Sequence, residues 1–205
     1  MVLMLNGSPR PNGNIALAFR EMERVFDENG VESENILLGK TAIRGCIACE
    51  SCRRNKRCVF DDIVNELAVK FEAADGLVIG SPVYYGSANG TLMSALQRLF
   101  YSTSYDKSLK VGASVVSARR SGCTATFDEL NKFFTLSGMP VATSRYWNNI
   151  YGWEPGEAQA DAEGRQVMRV LARNMVFLMR SIAMGKSGMG VPEPEEPRVW
   201  TNFMR

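Results

Sequence analysis

The fold is first indicated by residues 2–19, which read VLMLNGSPRPNGNIALAF. The apolar run from Val2 to Leu5 ends at an Asn-Gly pair, which is typical of a short buried strand that stops at a turn. From Ile15 onward, apolar residues recur at helical spacing until a second Asn-Gly pair, so residues 15–29 are predicted to form a helix. This stretch is therefore predicted to be one strand–loop–helix unit.

The same alternation continues along the chain. Further strands are predicted at residues 31–38, 76–82, 109–117 and 140–144, and further helices at 61–73, 89–101, 124–137 and 160–184. Strands that alternate with helices indicate an α/β fold, with a five-stranded parallel sheet and helices on both faces. In such open sheets, ligands bind outside the carboxyl ends of the strands, at the point where the strand order reverses.

The domain organisation is predicted to be simple, because 205 residues suffice for a single full core. Residues 1–185 are predicted to form that domain. Residues 45–60 combine Gly, Lys, Arg and Cys without an apolar period, so they are predicted to be a loop insertion. Residues 186–205 are rich in Gly, Pro and Glu and are predicted to form a surface tail.

The chain contains no histidine, and this excludes several kinds of site. A Ser-His-Asp or Cys-His catalytic unit, a His-ligated zinc, a His-ligated haem and a Rieske centre each need an imidazole. Proton transfer near pH 7 must then come from carboxylates, Lys, Cys or Tyr with shifted pKa values, or from a cofactor.

The charge of the chain is nearly balanced, with 24 Lys and Arg against 22 Asp and Glu. This balance gives no reason to expect a nucleic acid or a membrane surface as a partner. The first apolar run is too short for a signal peptide, and no run approaches the roughly 20 residues of a membrane span. We therefore expect a cytoplasmic protein, in which cysteines more often serve metal binding or catalysis than disulfides.

The loop GSPRPNGN at residues 7–14 lies between the first strand and the first helix. The N–H groups and positive dipole end of a helix N-terminus favour an anion there, and Ser8, Arg10 and Asn14 add donors. The loop lacks the GxGxxG pattern of a dinucleotide site, so it predicts a single phosphate monoester. An ordinary Gly/Pro turn remains the alternative.

Two later strands end in comparable loops. Residues 81–87 read SPVYYGS and residues 118–122 read ARRSG. Adjacent aromatic side chains and backbone N–H groups at the end of a parallel strand suit a flat heteroaromatic ring. Together with the first loop, they predict one ligand that carries both a phosphate and such a ring.

The combination of GSPRPNGN, GSPVYYGSANG and the α/β order resembles the NADPH-dependent FMN reductase family of flavodoxin-like proteins. The resemblance covers roughly residues 1–185. It implies a three-layer sandwich with strand order 2-1-3-4-5, bound FMN, NAD(P)H as an electron donor, and a homodimer or homotetramer.

The resemblance also implies roles for particular residues. The phosphate would be held by Ser8, Arg10, Gly13, Asn14 and Ile15, and the isoalloxazine would be lined by Pro82, Val83, Tyr84, Tyr85 and Gly86. The site would be closed by Ala118, Arg119, Arg120 and Gly122. The family usually has Thr or Ser where this chain has Ile15, so that position can offer only its backbone N–H.

Four cysteines, Cys46, Cys49, Cys52 and Cys58, lie within the predicted loop insertion. Their compact spacing is close to a ferredoxin run and argues against zinc, which typically pairs two CxxC units across a longer gap. Redox-active free thiols and a zinc site stay open as alternatives. The fifth cysteine, Cys123, is predicted to be a small buried or helix-start residue.

Within the flavodoxin-like group, this spacing is similar to that of the iron–sulfur flavoproteins. The similarity implies a [4Fe–4S] cluster ligated by Cys46, Cys49, Cys52 and Cys58. Basic residues inside the run would stabilise an anionic cluster or dock an acidic partner; they are Arg53, Arg54, Lys56 and Arg57.

These expectations combine into one functional hypothesis, an FMN-dependent oxidoreductase that passes electrons to a small-molecule acceptor or a redox partner protein. A cluster-free NAD(P)H:FMN or quinone reductase is the first alternative, and a flavodoxin-like electron carrier without a substrate site is the second. The aromatic loop at residues 145–155 is predicted to lie at a subunit interface or on the surface.

Overall fold

Five strands form one sheet in the computed structural model, which describes residues 1–192, 199 and 201. The strands are β1 (Val2–Asn6), β2 (Ser33–Leu37), β3 (Gly76–Pro82), β4 (Val111–Ala118) and β5 (Asn149–Tyr151). The helices are α1 (Asn14–Glu28), α2 (Ser51–Asn55), α3 (Ile63–Ala73), α4 (Gly90–Ser102), α5 (Cys123–Leu136) and α6 (Ala162–Met189), and Glu157–Ala160 form a 3-10 turn.

The sheet has the order β2-β1-β3-β4-β5, and every pair of neighbouring strands is parallel. The chain leaves β1 to form β2 on one side and returns to β3 on the other, so the strand order reverses between β1 and β3. The predicted flavodoxin-like architecture is therefore confirmed, and the reversal places a crevice at the carboxyl ends of these strands.

Two apolar cores cover the two faces of the sheet. α1 and α6 pack on one face, where Phe19, Phe26 and Met175 are fully buried. α3, α4 and α5 cover the other face with residues such as Phe71 and Phe134. Both faces are thus covered, which is why β1 is apolar from Val2 to Leu5 and β4 is apolar or small along its whole length.

The fifth strand is not where the sequence pattern predicts it. The structure has β5 at Asn149–Tyr151, whereas residues 140–144 contribute an isolated bridge between Val141 and Gly112. Two short stretches pair in turn with β4, first around Val141 and then, after an intervening loop, at β5. Strand propensity favours the first stretch, because propensity cannot register such an interruption at a sheet edge.

The structure also differs at the ends of other elements. The five-residue helix α2 lies inside the predicted loop insertion, and α6 continues to Met189 rather than ending near residue 184. The first residues of the predicted tail are therefore helical, while most of residues 193–205 lie outside the described part. In the described part, no helix is both long and apolar enough to cross a membrane.

Candidate functional site

A cavity of about 330 Å³ lies at the carboxyl ends of β1, β3, β4 and β5. It is lined by Ser8, Arg10, Gly13, Asn14, Ile15, Pro82, Val83, Tyr84, Ser117, Ala118, Arg119, Gly152 and Trp153. The structure therefore brings all three predicted loops to one place, because parallel strands present their carboxyl ends at the same edge.

The first loop presents an anion site at the start of α1. Within the described residues, no acceptor pairs with the backbone N–H groups of Asn14, Ile15 and Ala16. The helix starts at Gly13 without a side-chain cap. A side chain at Gly13 would lie about 3.0–3.1 Å from Arg10 and Ser8, so the glycine keeps this concave surface open. Free N–H groups at the positive end of a helix favour a phosphate.

Ser8 shapes this loop rather than offering a free hydroxyl. Its Oγ accepts the N–H of Arg10 at 3.1 Å and lies 3.3 Å from the Arg10 carbonyl, to which it donates. Its own N–H donates to Oδ1 of Asn6 at 2.9 Å. The backbone of Gly39, just after β2, packs directly against Ser8. The loop is therefore held in shape from two sides before any ligand binds.

Two other residues that were predicted to hold the phosphate also make contacts within the protein. Oδ1 of Asn14 accepts the N–H of Ala158 at 3.2 Å, so the Asn14 oxygen is engaged and its amide nitrogen is the group left as a donor. Ile15 is 1% exposed and its side chain packs against β3 beside Gly80, which leaves its backbone N–H as its only polar group toward the cavity.

The second loop is a tight hairpin turn at residues 84–87. Tyr84 and Ser87 exchange two backbone hydrogen bonds, and both central residues have positive φ, 53° at Tyr85 and 76° at Gly86. Glu129 of α5 anchors the turn, because its carboxylate accepts from the Ser87 hydroxyl at 2.7 Å and from the next N–H at 2.8 Å. Tyr84 lines the cavity, whereas Tyr85 is fully exposed at the tip.

The third loop contributes one of its two arginines. The guanidinium of Arg119 lies 5.0 Å from the ring centre of Trp153, a cation–π contact at the cavity. Arg120 is exposed and does not line the cavity. Gly122 has φ of 90° and abuts Val83, so it supports the second loop from behind.

Trp153 and Gly152 are site residues that the sequence reasoning missed. Nη1 of Arg10 donates to the carbonyl of Trp153 at 3.0 Å, which ties the loop after β5 to the first loop. With β5 at its true position, residues 152 and 153 occupy the same strand-end place as the other loops. These two residues directly follow a strand, as the other site loops do, but the prediction of that strand at residues 140–144 left them unassigned.

All four cysteines of the insertion line a second, much smaller cavity of about 20 Å³. Cys46 and Cys49 are exposed, and Cys52 and Cys58 are partly buried. The other walls include Ile47, Val59, Phe60, Arg98, Tyr101 and Ser102. The loop therefore gathers its thiols against one side of α4. In the described residues, no three Cys, Asp or Glu side chains are close enough to hold a single metal ion.

Arg98 of α4 is the buried cation beside this cavity. It is 1% exposed, and its Nε–H donates to Sγ of Cys58 at 3.2 Å. Its two terminal nitrogens donate to the carboxylate oxygens of Asp62 at 2.7 and 2.8 Å. Although partial burial opposes ionisation of Asp62, the Arg98 bonds and the Val64 N–H hold the pKa of Asp62 below its usual value.

The basic residues inside the cysteine run are exposed by comparison. Arg53 pairs with Glu50 at 3.1 Å and Arg57 pairs with Asp61 at 2.5 Å, both at the surface. Such pairs are screened by solvent. Cys123 lies apart from the cluster, buried at the start of α5, where burial raises the pKa of its thiol.

Comparison with known proteins identifies the family of this chain. The family described as NADPH-dependent FMN reductase matches residues 1–154. This chain belongs to that family. The family description and the names of the relatives identify this chain as a flavin oxidoreductase.

Two curated relatives are named iron–sulfur flavoproteins. The relative from Methanocaldococcus jannaschii is 31% identical over 88% of this chain and 98% of its own length. The relative from Methanosarcina thermophila is 28% identical over 87% of this chain and 94% of its own length. The likeness therefore extends over almost the whole of both proteins.

Solved structures share the fold at much lower identity. RosB with a bound 8-demethyl-8-formylriboflavin-5'-phosphate intermediate superposes with a TM-score of 0.68 and 16% identity, covering 100% of this chain and 92% of RosB. An archaeal flavodoxin gives a TM-score of 0.55 at 13% identity, covering 86% of this chain and 98% of that protein. These matches support the flavodoxin-like architecture.

Proposed function

We propose that this chain is an FMN-dependent oxidoreductase that accepts electrons from NAD(P)H, carries a [4Fe–4S] cluster, and serves a small-molecule acceptor or a redox partner protein. The observation that carries the proposal is that Asn14 and Ile15, whose backbone N–H groups have no acceptor within the described residues, line a cavity that also contains an aromatic wall. Bound FMN supplies hydride and single-electron chemistry that no side chain of this protein provides.

The phosphate of FMN fits the first loop. The N–H groups at the start of α1 would donate to its oxygens, the Arg10 guanidinium lies at the same cavity, and the open face beside Gly13 leaves room. Ser8 would act through the loop shape that its hydroxyl enforces. These donors suit a phosphate monoester, and a second phosphate has no comparable cradle among the cavity residues described.

The ring of FMN fits the other side of the cavity. Tyr84 and Trp153 offer aromatic faces, and Arg119 brings a positive charge. A cation near an electron-rich ring favours its reduced, anionic form. Tyr85 and Arg120, which the resemblance also implies, are exposed and lie outside the cavity walls.

A [4Fe–4S] cluster fits the cysteine cavity by its donor set. Cys46, Cys49, Cys52 and Cys58 would be its ligands, and the buried Arg98 already donates to one of these sulfurs. Four thiolates around a cubane stand further apart than four around one ion, which agrees with thiols that share a cavity without converging on a point. Such a cluster exchanges electrons one at a time.

The electron donor and acceptor, the homodimer or homotetramer, and the cytoplasmic location belong to the same proposal. The family description supports NADPH as the donor. The exposed basic residues around α2 suit an acidic redox partner, because opposite charges steer association.

Titration of the apoprotein with flavins tests the FMN site. We expect FMN to bind at least tenfold more tightly than riboflavin, because the phosphate reaches the α1 N–H groups, and no more weakly than FAD. Arg10→Gln should reduce the difference in affinity between FMN and riboflavin. Arg20→Gln, at an exposed position, is the control and should leave that difference unchanged. Equal affinity for riboflavin and FMN would contradict the phosphate site.

Iron and sulfide analysis after anaerobic reconstitution tests the cluster. We expect about four irons and four sulfides per chain, lost in Cys52→Ser and kept in Cys123→Ser. Absence of iron, with flavin-dependent NAD(P)H oxidation intact, would favour the cluster-free reductase. The exposure of Cys46 and Cys49 supports this cluster-free alternative. One zinc per chain would favour a structural metal site.

A further inference from the structure

Helix α4 lines the cysteine cavity with Tyr101 and with two further polar side chains. Arg98 and Ser102 are four residues apart, which puts them on the same side of the helix, and both line the cavity. Arg98 sends its Nε–H to Cys58, and its carbon Cζ lies 5.0 Å from the centre of the Phe60 ring. Neither residue was singled out by the sequence pattern.

Arg98 cannot readily turn away from the sulfur. Its two-pronged bond to Asp62 occupies the terminal nitrogens, and Nη1 also lies 3.3 Å from the carbonyl of Arg44, to which it donates. A guanidinium held in this way keeps its remaining Nε–H aimed at Cys58. Full burial also shields its charge from solvent.

The second polar side chain, Ser102, has an unused hydroxyl donor in the described part of the chain. The residue is 5% exposed, and its Oγ has no hydrogen-bond partner in the described part of the chain. A buried hydroxyl without a partner is costly, and because most buried polar atoms do have a partner, such an exception calls for an explanation. Its place on the cavity wall points to the group that the cysteines hold.

We propose that Arg98 and Ser102 are positioning residues that raise the reduction potential of the cysteine-bound cluster, Arg98 through Cys58 and Ser102 through its free hydroxyl. The inference rests on the proposed [4Fe–4S] cluster. Hydrogen bonds to cluster sulfurs and a buried positive charge stabilise the more negative, reduced state. The exposed arginines of the cysteine run act less strongly, because water and salt screen them.

Spectroelectrochemical midpoint potentials of the reconstituted holoprotein test this inference. Arg98→Gln should shift the reduction equilibrium about tenfold toward the oxidised cluster, which is 59 mV for one electron. Arg98→Lys should shift this equilibrium less, since lysine keeps the positive charge but loses the two-pronged guanidinium geometry. Ser102→Ala should lower the potential by a smaller amount and should not destabilise the apoprotein, because its hydroxyl has no partner there.

Arg54→Gln is the matched control, since it removes one exposed positive charge from the cysteine run itself. A shift in Arg54→Gln as large as in Arg98→Gln would overturn the inference, and so would unchanged potentials in both Arg98→Lys and Ser102→Ala. If Arg98→Gln fails to retain iron, Arg98→Lys and Ser102→Ala decide. A wild-type protein without iron and sulfide would instead overturn the cluster itself, and the inference with it.

Discussion

At the residue scale, the cavity at the strand ends, which we propose binds FMN and call the flavin cavity, depends on side chains that reach it from distant parts of the chain. Trp153 connects Arg10 of the first loop, through its carbonyl, with Arg119 of the third, through its ring. An indole in that position supports the cavity wall and also reports on it. Arg98 has a comparable place at the cysteine cavity, where one side chain joins α3, α4 and the cysteine loop.

Trp153 should report flavin binding by its fluorescence. We expect FMN to quench tryptophan emission, and Trp153→Phe to lose most of the quenching while weakening FMN binding several-fold, because an aromatic wall is reduced and the Arg119 contact is weakened. Trp147→Phe, in the same aromatic loop but outside the lining of this cavity, should keep the quenching. Equal quenching in wild type and Trp153→Phe would mean that the flavin ring binds away from Trp153.

At the element scale, neighbouring elements hold the loops in shape. The segment after β2 packs its Gly39 backbone against Ser8 and Pro9, and α5 holds the second loop through Glu129. α1 and α6 are joined by Glu21, whose carboxylate accepts from Arg165 at 2.7 Å and Arg169 at 2.6 Å. The loops are therefore positioned by contacts with neighbouring elements.

Gly39→Ala should damage the phosphate site from outside the cavity. A Cβ at Gly39 would lie 2.2–2.4 Å from backbone atoms of Ser8 and Pro9, so the first loop must move. We expect FMN affinity to fall more than tenfold and the free energy of unfolding to fall by about 1–3 kcal/mol, measured by titration and urea denaturation. Gly45→Ala, where nothing lies within 4 Å, is the control and should change neither.

The α1–α6 contact should make stability depend on pH. Burial opposes ionisation of Glu21, but its bonds to Arg169 and Arg165 outweigh this and hold the pKa below the ordinary 4.5. A lowered pKa in the folded state contributes stability that is present above pH 4.5 and is lost as the pH falls through the folded value.

Glu21→Gln should therefore cost about 1–3 kcal/mol of unfolding free energy at pH 7, because it leaves two arginines without their carboxylate. The difference from wild type should shrink below pH 4.5. Asp27→Asn, an exposed position on α1, is the control. A difference that stays constant from pH 7 to pH 3 would contradict the assigned ion pair.

At the scale of the whole molecule, α4 spans the distance between the two cavities. Its N-cap Asn89 donates its backbone N–H to Ser81, next to the flavin cavity, and Arg98 and Ser102 near its other end face the cysteines. From Gly90 to Arg98 the helix rises about 12 Å. The two sites thus share one rigid element while using different residues.

FMN should stabilise the fold independently of the cysteine site. At a free FMN concentration of about 100 times Kd, linkage predicts about 2.7 kcal/mol, which corresponds to a rise in Tm of roughly 5–10 °C for a chain of this size. Cys58→Ser should show the same rise as wild type, and Arg10→Gln a smaller one at equal FMN concentration. A rise that disappears in Cys58→Ser would mean that the two sites fold as one.

Local patterns determined the strand–loop–helix units, the parallel sheet and the run of four cysteines, because apolar periodicity and turn residues act over a few neighbours. The tertiary structure alone decided where β5 pairs, that Trp153 lines the cavity at the strand ends, and that Arg98 and Ser102 face the cysteines. Those facts depend on sheet-edge pairing and on side chains that meet across 40 or more positions of sequence, as Arg98 and Cys58 do. Residue spacing carries no record of such meetings, since they arise only when the helices pack on the sheet.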